Sequence, residues 1–273
     1  KKYTINISNS ILAEVLLILI VYFFGIMVIW RQFVLMESST WFAKVSGDIT
    51  ELSLAGKWFA YVSLPFFQFL MIRWYFRLFI WARFLWQVSR VELRLIPTNP
   101  DRAGGLGFIS NIVYAFVPLA MAHGVLLAGL LANRIFYTGA KLTDFKMEIA
   151  TLVLFLLVLI VGPLLFFVPQ LLNTKRKGLR EYGSLAQRYD REFDDKWLRG
   201  GASADEKLMG SADIQSLADL GNSFDVIREM KIAPVTRDVF ILISAAVLAP
   251  IVPLALTMMP LEELIEKLFG ILF

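Results

Sequence analysis

The sequence contains no cysteine and only one histidine in 273 residues. Without cysteine the chain can form no disulfide scaffold, no thiolate-ligated metal site and no thiol nucleophile. A single histidine makes a multi-histidine metal site or a Ser-His-Asp triad hard to build. No Walker A or GxGxxG pattern is present either. We therefore expect no cofactor, no resident metal and no catalytic residue, and an enzyme is the least favoured class.

Charged residues are also scarce, at 18% of the chain, whereas 58% of the residues are hydrophobic. A soluble domain has about 25% charged and about 45–50% apolar residues. The hydrophobic excess lies in runs of about 20 residues, which is enough to cross a hydrocarbon core of about 30 Å. This pattern predicts an all-α, polytopic membrane protein with about five transmembrane helices.

The apolar runs predict a membrane domain over residues 1–172 and one further span near the end of the chain. The spans predicted in the membrane domain are 11–30, 58–80, 111–133 and 149–172. A short interfacial helix through Val45 is expected between the first two. Residues 237–273 are predicted to hold the last span, kinked or re-entrant because of its prolines, and an interfacial C-terminal helix.

Basic residues indicate the orientation of these spans. Most of the 27 lysines and arginines lie in segments 73–102 and 175–237. The positive-inside rule places both segments in the cytoplasm, with the N-terminus inside and the C-terminus outside. The second span is predicted to continue inward as a long helix to about Leu95. Residues 173–236 are predicted to form a small cytoplasmic segment of three helices, one ending at Gly221. The net charge of +4 fits this membrane face and requires no nucleic acid.

An arginine stripe is predicted along the inner part of the second helix. Helical spacing places its members within one arc of the helix: Arg73, Arg77, Arg83, Arg90 and Arg94. One interpretation is a basic helix that contacts anionic lipid headgroups. The other is an inner vestibule, lined by Arg83, Arg90 and Arg94, that concentrates anions.

Glu14 and His123 lie inside predicted spans, where ionisable residues are costly and often functional. Glu14, in the first span, can pair with Arg73 or Arg77, which enter the second span from the same side, or can form an ion or proton site. His123, in the third span, can bond to a backbone carbonyl or take part in proton sensing or permeation.

A turn of prolines and glycines follows the long helix, and we predict an inner-face elbow over 94–110. Pro97 and Pro100 end the helix. Free N–H groups in a glycine turn at a helix N-terminus can bind an anion or a lipid phosphate. A purely structural elbow and a gating element are the alternatives. The candidate residues are Asp101, Arg102, Gly104, Gly105 and Gly107.

Residues 83–108, with PDRAGGLGF at 100–108, resemble a group of uncharacterised multi-pass inner-membrane proteins of bacteria. Residues 214–230, which lead to Pro234 and the proline-rich last span, are similar to the same group. The resemblance covers about half of the chain. It implies the bacterial cytoplasmic membrane as the location, and it brings no established activity, so no site residue is transferred.

Three functions remain open at this point. The first is an ion channel or small-solute transporter, expected to be a homo-oligomer because five spans are few to enclose a pathway. The second is an adaptor or sensor that binds a protein partner through 173–236. The third is a lipid-acting enzyme that uses Asp101 and Arg102 at the inner leaflet.

Overall fold

The computed structural model describes Leu19 and residues 43–46, 49–203 and 205–258. The regular secondary structure of these residues is helical apart from one short hairpin, which confirms the predicted helical class and adds an exception to it. The chain divides into two compact units, Lys1–Phe84 and Leu85–Phe273. Apart from Leu19, the predicted first span, with Glu14, lies outside the described residues, as does the predicted C-terminal interfacial helix.

The hairpin in the first unit replaces the interfacial helix predicted through Val45. Strands β1 (Ala43–Ser46) and β2 (Ile49–Leu52) pair antiparallel, with Ala43 opposite Leu52. The helix prediction was wrong because it considered only the possible N-cap at 38–40. The Gly-Asp pair between the strands and the β-branched residues beside it are typical of a two-residue hairpin turn.

A continuous helical run follows the hairpin. It begins with α1 (Leu54–Trp58), where the Ser53 side chain accepts a hydrogen bond from the Gly56 N–H at 3.0 Å. A π-helical turn (Phe59–Ser63) then leads into α2 (Leu64–Val88). Serine is a preferred N-cap because its hydroxyl satisfies one of the unpaired N–H groups of the first turn.

Helix α2 ends at Val88, short of the predicted Leu95, so Arg90 and Arg94 do not continue a stripe on this helix. The Gln170 side chain donates hydrogen bonds to the carbonyl oxygens of Ser89 at 2.7 Å and Val91 at 2.8 Å. These bonds satisfy carbonyls in the turns that follow the last residue of the helix. The long-helix prediction was wrong because local bonds replace helical ones after Val88: the N–H groups of Arg90 and Val91 bond to carbonyls three residues earlier, and the Ser89 hydroxyl bonds to the Trp86 carbonyl.

The second unit contains two long helical runs. The first joins a 3₁₀ turn (Gly107–Phe116) to α3 (Val117–Thr138). The second consists of a 3₁₀ turn (Leu142–Phe145), α4 (Lys146–Val161), a 3₁₀ turn (Gly162–Phe167), α5 (Val168–Phe193) and a π-helical turn (Asp194–Leu198). Prolines in the first turns of α3 and α5 explain the tight segments before them, since proline is tolerated only at a helix start.

Two shorter helices complete this unit, α6 (Ala212–Arg228) and α7 (Arg237–Leu248), with a final 3₁₀ turn at Val252–Met258. Helix α6 passes through Gly221, so the prediction of two helices broken there was wrong. A helix tolerates an interior glycine at a cost of about 1 kcal/mol. Packing of α6 along α5, with the Phe224 ring 3.5 Å from the Cβ position of Gly183, supplies the compensating contacts.

Among the described residues, two helical runs are long and apolar enough to cross a membrane, Gly107–Thr138 and Leu142–Leu198. The bent pair Arg237–Leu248 and Val252–Met258, with a 54° angle, is a third if it forms one span. The predicted spans 111–133 and 149–172 fall within the two runs. The predicted span 58–80 does not reach the same apolar character, because Arg73 and Arg77 interrupt it, and the count of five is not confirmed.

The core of the second unit lies where α3 and α7 cross. Gly124 of α3 is buried, and a Cβ at this position would overlap the Val247 carbonyl oxygen of α7. Small residues permit this close approach between membrane helices. A second apolar cluster of Leu131, Phe145 and Ile251 joins the end of α3 to the turn before α4 and the bend after α7.

Candidate functional site

The predicted elbow closes around the carboxylate of Asp101. This carboxylate accepts hydrogen bonds from the N–H groups of Ala103 at 2.8 Å, Gly105 at 3.1 Å and Gly107 at 2.8 Å. The Asp101 carboxylate therefore binds N–H groups of the turn that the sequence predicted to bind an external anion. This geometry favours the structural elbow, and the anion or lipid-phosphate contact stays a prediction.

The environment of Asp101 keeps its carboxylate charged. Burial alone would raise the pKa of this carboxyl, but hydrogen bonds from Ala103, Gly107 and Gly105, together with the charge of Lys231, outweigh it. The net effect lowers the pKa of Asp101 below its ordinary value of 3.8. Hydrogen bonds that are made to the charged form stabilise that form. Asp101 is thus a structural anion at neutral pH.

Two of the elbow glycines are favoured by their backbone conformation, and Gly104 is favoured by space as well. Gly104 has φ 64° and Gly105 has φ 95°, in the left-handed region that favours glycine. A Cβ at Gly104 would lie 3.1 Å from Cε of Met230 and 3.3 Å from Cβ of Leu95. The elbow is therefore packed tightly against the segment that follows α6.

Arg102 joins the elbow to the end of α6. Its guanidinium pairs with Glu229 at 2.9 Å, and its carbonyl oxygen accepts a hydrogen bond from the Lys231 N–H at 2.7 Å. The Lys175 Nζ of α5 donates to the Met230 carbonyl at 2.8 Å. The Arg102 side chain, which the sequence predicted to contact an anion or a lipid phosphate, is thus paired with Glu229 within the fold.

A groove of about 770 Å³ opens beside the elbow, between residues 92–97 and the first part of α5. We call it the elbow groove. Arg94, one of the predicted vestibule or lipid residues, lines it. The other lining residues include Glu92, Pro97, Asn173, Thr174, Lys177, Gly178, Glu181 and Tyr182. Its two walls touch, because a Cβ at Gly178 would lie 2.7 Å from Cβ of Pro97.

Two of the other predicted arginines stack on tryptophans close to them in sequence. The Arg77 guanidinium carbon lies 5.6 Å from the ring centre of Trp74, and that of Arg90 lies 5.3 Å from Trp86. Arg83 is exposed on α2. Arginine over an indole face is a cation–π contact, and tryptophan is enriched at membrane interfaces. The lipid-contact and vestibule interpretations both stay predictions.

His123 is half-buried on α3, and its Nδ1 lies 2.8 Å from the carbonyl oxygen of Leu119, one turn earlier. A carbonyl only accepts, so Nδ1 carries the proton in this bond. The contact supports the backbone-bonded interpretation of His123. Arg73 is half-buried on α2, and Glu14 lies outside the described residues. The pairing of Glu14 with Arg73 or Arg77 therefore stays a prediction. The ion or proton site at Glu14 and the permeation role of His123 stay predictions as well.

The sequence analysis missed a polar cluster at the junction of α5 and α6. The Asp213 carboxylate accepts from Lys196 Nζ at 2.8 Å and from Trp197 Nε1 at 3.0 Å, and Lys196 also pairs with Glu206. The hydrogen bond from Lys196, followed by that from Trp197, lowers the pKa of Asp213. Only the packing of two helices brings these residues together, so no local pattern could reveal the cluster.

No protein-family model, curated protein or solved structure matches this chain. Across the described ranges, no group of three or more histidine, aspartate or glutamate residues is arranged to hold a metal ion. The length and apolar composition of two or three described helices fit a helical membrane protein.

Proposed function

We propose that the protein is an adaptor of the bacterial cytoplasmic membrane that binds a protein partner through the tip of its α5–α6 hairpin. We define the hairpin tip as residues 196–203 and 205–214. The observation that carries this proposal is the exposure of apolar side chains there. Met209 is 90% exposed and Leu198 is 72% exposed, and Leu208 and Ile214 are also exposed.

The hairpin tip lies far from the apolar part of its helix. The charged part of this helical run extends from Asn173 to Leu198, which at 1.5 Å per residue is roughly 38 Å. If the helical run continues along the membrane normal, lipid can cover exposed apolar residues on the spans but cannot reach the hairpin tip. Exposed apolar groups outside the bilayer are typical of protein interaction sites.

The polar cluster around Asp213 holds the tip in shape. Lys196 and Trp197 from the end of α5 both bond to Asp213 at the start of α6, and the Tyr189 hydroxyl donates to the Asp213 carbonyl at 3.1 Å. A surface that is already ordered loses less conformational entropy when it binds. This rigidity supports a docking role for the tip.

Site-specific crosslinking tests the proposal, and the absence of native cysteines makes it clean. Leu198→Cys and Met209→Cys, labelled with a photo-crosslinker in native membranes, should capture the same protein at a stoichiometric level. Gln187→Cys, exposed on α5 before the hairpin tip, is the matched control and should not capture it. Adducts between copies of the chain alone would contradict the adaptor function.

A captured protein must also bind the purified chain. We expect Leu198→Asp combined with Met209→Asp to weaken this binding by at least tenfold, because a charge is costly in an apolar interface. Unchanged binding by this variant would remove the tip from the interface.

A homo-oligomeric ion channel or small-solute transporter is the second candidate. Its supporting observation is the 54° bend between Arg237–Leu248 and Val252–Met258. Broken helices occur at membrane depth where they line a cavity or lie buried in protein. Flux of Cl⁻, K⁺ and H⁺ into liposomes tests this function. A ring of several copies would support it, whereas silence for all three ions with a monomeric particle would contradict it.

A lipid-acting enzyme has the least support. Its two proposed residues, Asp101 and Arg102, are both engaged in bonds within the fold.

A further inference from the structure

We propose that the elbow groove binds the headgroup of a zwitterionic phospholipid that carries a phosphate and a primary ammonium, as phosphatidylethanolamine does. Arg94 and Lys177 would hold the phosphate, and Glu92 and Glu181 the ammonium. This inference concerns a lipid ligand and does not depend on the protein partner of the adaptor function.

The groove lies where a headgroup would be. Its α5 wall begins at Asn173 and Thr174, directly after the apolar part of the helix and beside Lys175, Arg176 and Lys177. This change from apolar to basic residues is typical of the membrane surface. The zwitterion is therefore expected from a lipid rather than from a free solute.

The opposite wall carries apolar side chains suited to the same depth. Val91 and Ile96 are both more than half exposed, and they flank Glu92 and Arg94 in the sequence. A segment with both exposed apolar and charged side chains fits the boundary between acyl chains and headgroups.

The charges of the groove select a zwitterion over an anion. It is lined by two cations, Arg94 and Lys177, and by two carboxylates, Glu92 and Glu181. A purely anionic headgroup carries no cation that could bind the two carboxylates, so it would be repelled by them. A phosphate can bind the two cations, and an ammonium can bind the two carboxylates. The ammonium N–H groups donate charge-assisted hydrogen bonds to the carboxylates, which strengthens that contact.

These side chains are accessible to a ligand. Lys177 and Glu181 form only a loose contact of 3.9 Å, and their side chains are 69% and 58% exposed. Among the described residues, Glu92 and Arg94 have no ion-pair partner. The backbone near Glu92 and Arg94 is held in place, because Gln170 donates hydrogen bonds to the carbonyls of Ser89 and Val91 and Gly178 packs on Pro97.

Native mass spectrometry of the full chain in detergent tests the proposal. The probes are phosphatidylethanolamine, phosphatidylcholine and phosphatidylglycerol with identical acyl chains. Phosphatidylcholine has no N–H donor on its nitrogen, and phosphatidylglycerol has no cation. We expect phosphatidylethanolamine to bind roughly tenfold more tightly than either. Equal binding of all three, or a preference for phosphatidylglycerol, would overturn the proposal without any variant.

Variants then locate the site. Glu92→Gln with Glu181→Gln should reduce the preference for phosphatidylethanolamine over phosphatidylglycerol to within about twofold. Arg94→Gln with Lys177→Gln should weaken binding of all three lipids, because all carry the phosphate. A preference that survives the first double variant would exclude the groove.

The chain offers a matched control on the same helix. Arg188 and Glu192 have the same i,i+4 spacing and a similar contact of 4.0 Å, with side chains 71% and 70% exposed, and they lie farther from the apolar segment. Arg188→Gln with Glu192→Gln should leave the lipid preference unchanged. Competition with soluble phosphoethanolamine distinguishes a lipid ligand from a free solute. We expect phosphoethanolamine to compete only weakly with the lipid. Displacement of the lipid at equal concentration would show that the ligand is a free solute.

Discussion

Asp101 is the residue on which the elbow depends. Its carboxylate accepts three backbone hydrogen bonds, and asparagine offers only one acceptor oxygen and no charge. We expect Asp101→Asn to lower the free energy of unfolding by about 2 kcal/mol, the scale of a hydrogen bond to a charged group. Thermal unfolding in detergent measures this loss. Asp205→Asn, at an exposed aspartate in the loop before α6, should leave the melting temperature unchanged.

The same carboxylate makes the elbow sensitive to acid. Because the pKa of Asp101 is lowered in the folded chain, its contribution is fully present above its ordinary value of 3.8 and is lost as the pH falls through the lower folded pKa. The difference in melting temperature between the native chain and Asp101→Asn should therefore be constant from pH 7 to about 5 and shrink below about pH 4. A difference that persists unchanged to pH 3 would show that the charge of Asp101 is not the stabilising feature.

Local sequence was a good guide at this scale, but only to part of the elbow. Two prolines and three glycines within 97–107 predict the turn because each limits or frees the backbone by itself. The partners of Arg102 were not predictable. Glu229 and Lys231 lie far along the chain, and only the return of α6 along α5 brings them to the elbow.

At the scale of helices, the crossing of α3 and α7 leaves no room for a side chain at Gly124. We expect Gly124→Ala to lower the free energy of unfolding by about 1–3 kcal/mol, because the added methyl group must displace the Val247 backbone. Gly129→Ala is the matched control, since a Cβ there meets nothing within 4 Å. It should be neutral or stabilising by up to about 1 kcal/mol, as alanine favours a helix. Equal effects of the two changes on thermal unfolding would contradict the close crossing.

The helices were predicted to different depths of detail. Long apolar runs indicated the helices that cover 111–133 and 149–172, because composition over twenty residues is a strong signal. The ends were less predictable. Helix α2 gives way to local turns after Val88, and Gln170 of α5 binds the carbonyls of those turns. Helix α6 continues through Gly221, where α5 supports it, so this outcome depends on a tertiary contact. The β1–β2 hairpin had a local signal in its Gly-Asp pair, which was outweighed by a possible helix cap.

At the scale of the whole molecule, the predicted orientation places the hairpin tip inside and the end of α3 outside. Native chains carry no cysteine, so single substitutions report each side separately. A membrane-impermeant maleimide should label Tyr137→Cys, at an 86% exposed position, in intact cells and should not label Met209→Cys. Both should react after the membrane is permeabilised. The reverse pattern would invert the topology.

The hydrogen bonds of the elbow also imply an order of assembly during synthesis. The bonds that close it join residues 99–107, so this part can form as soon as that stretch leaves the ribosome. Arg102 then waits for Glu229 and Lys231, which are made much later. Chains emerge N-terminus first at about 5–20 residues per second, so this interval lasts several seconds. The elbow therefore forms its internal hydrogen bonds early in translation. Its contacts with the segment after α6 form only when that segment has been synthesised.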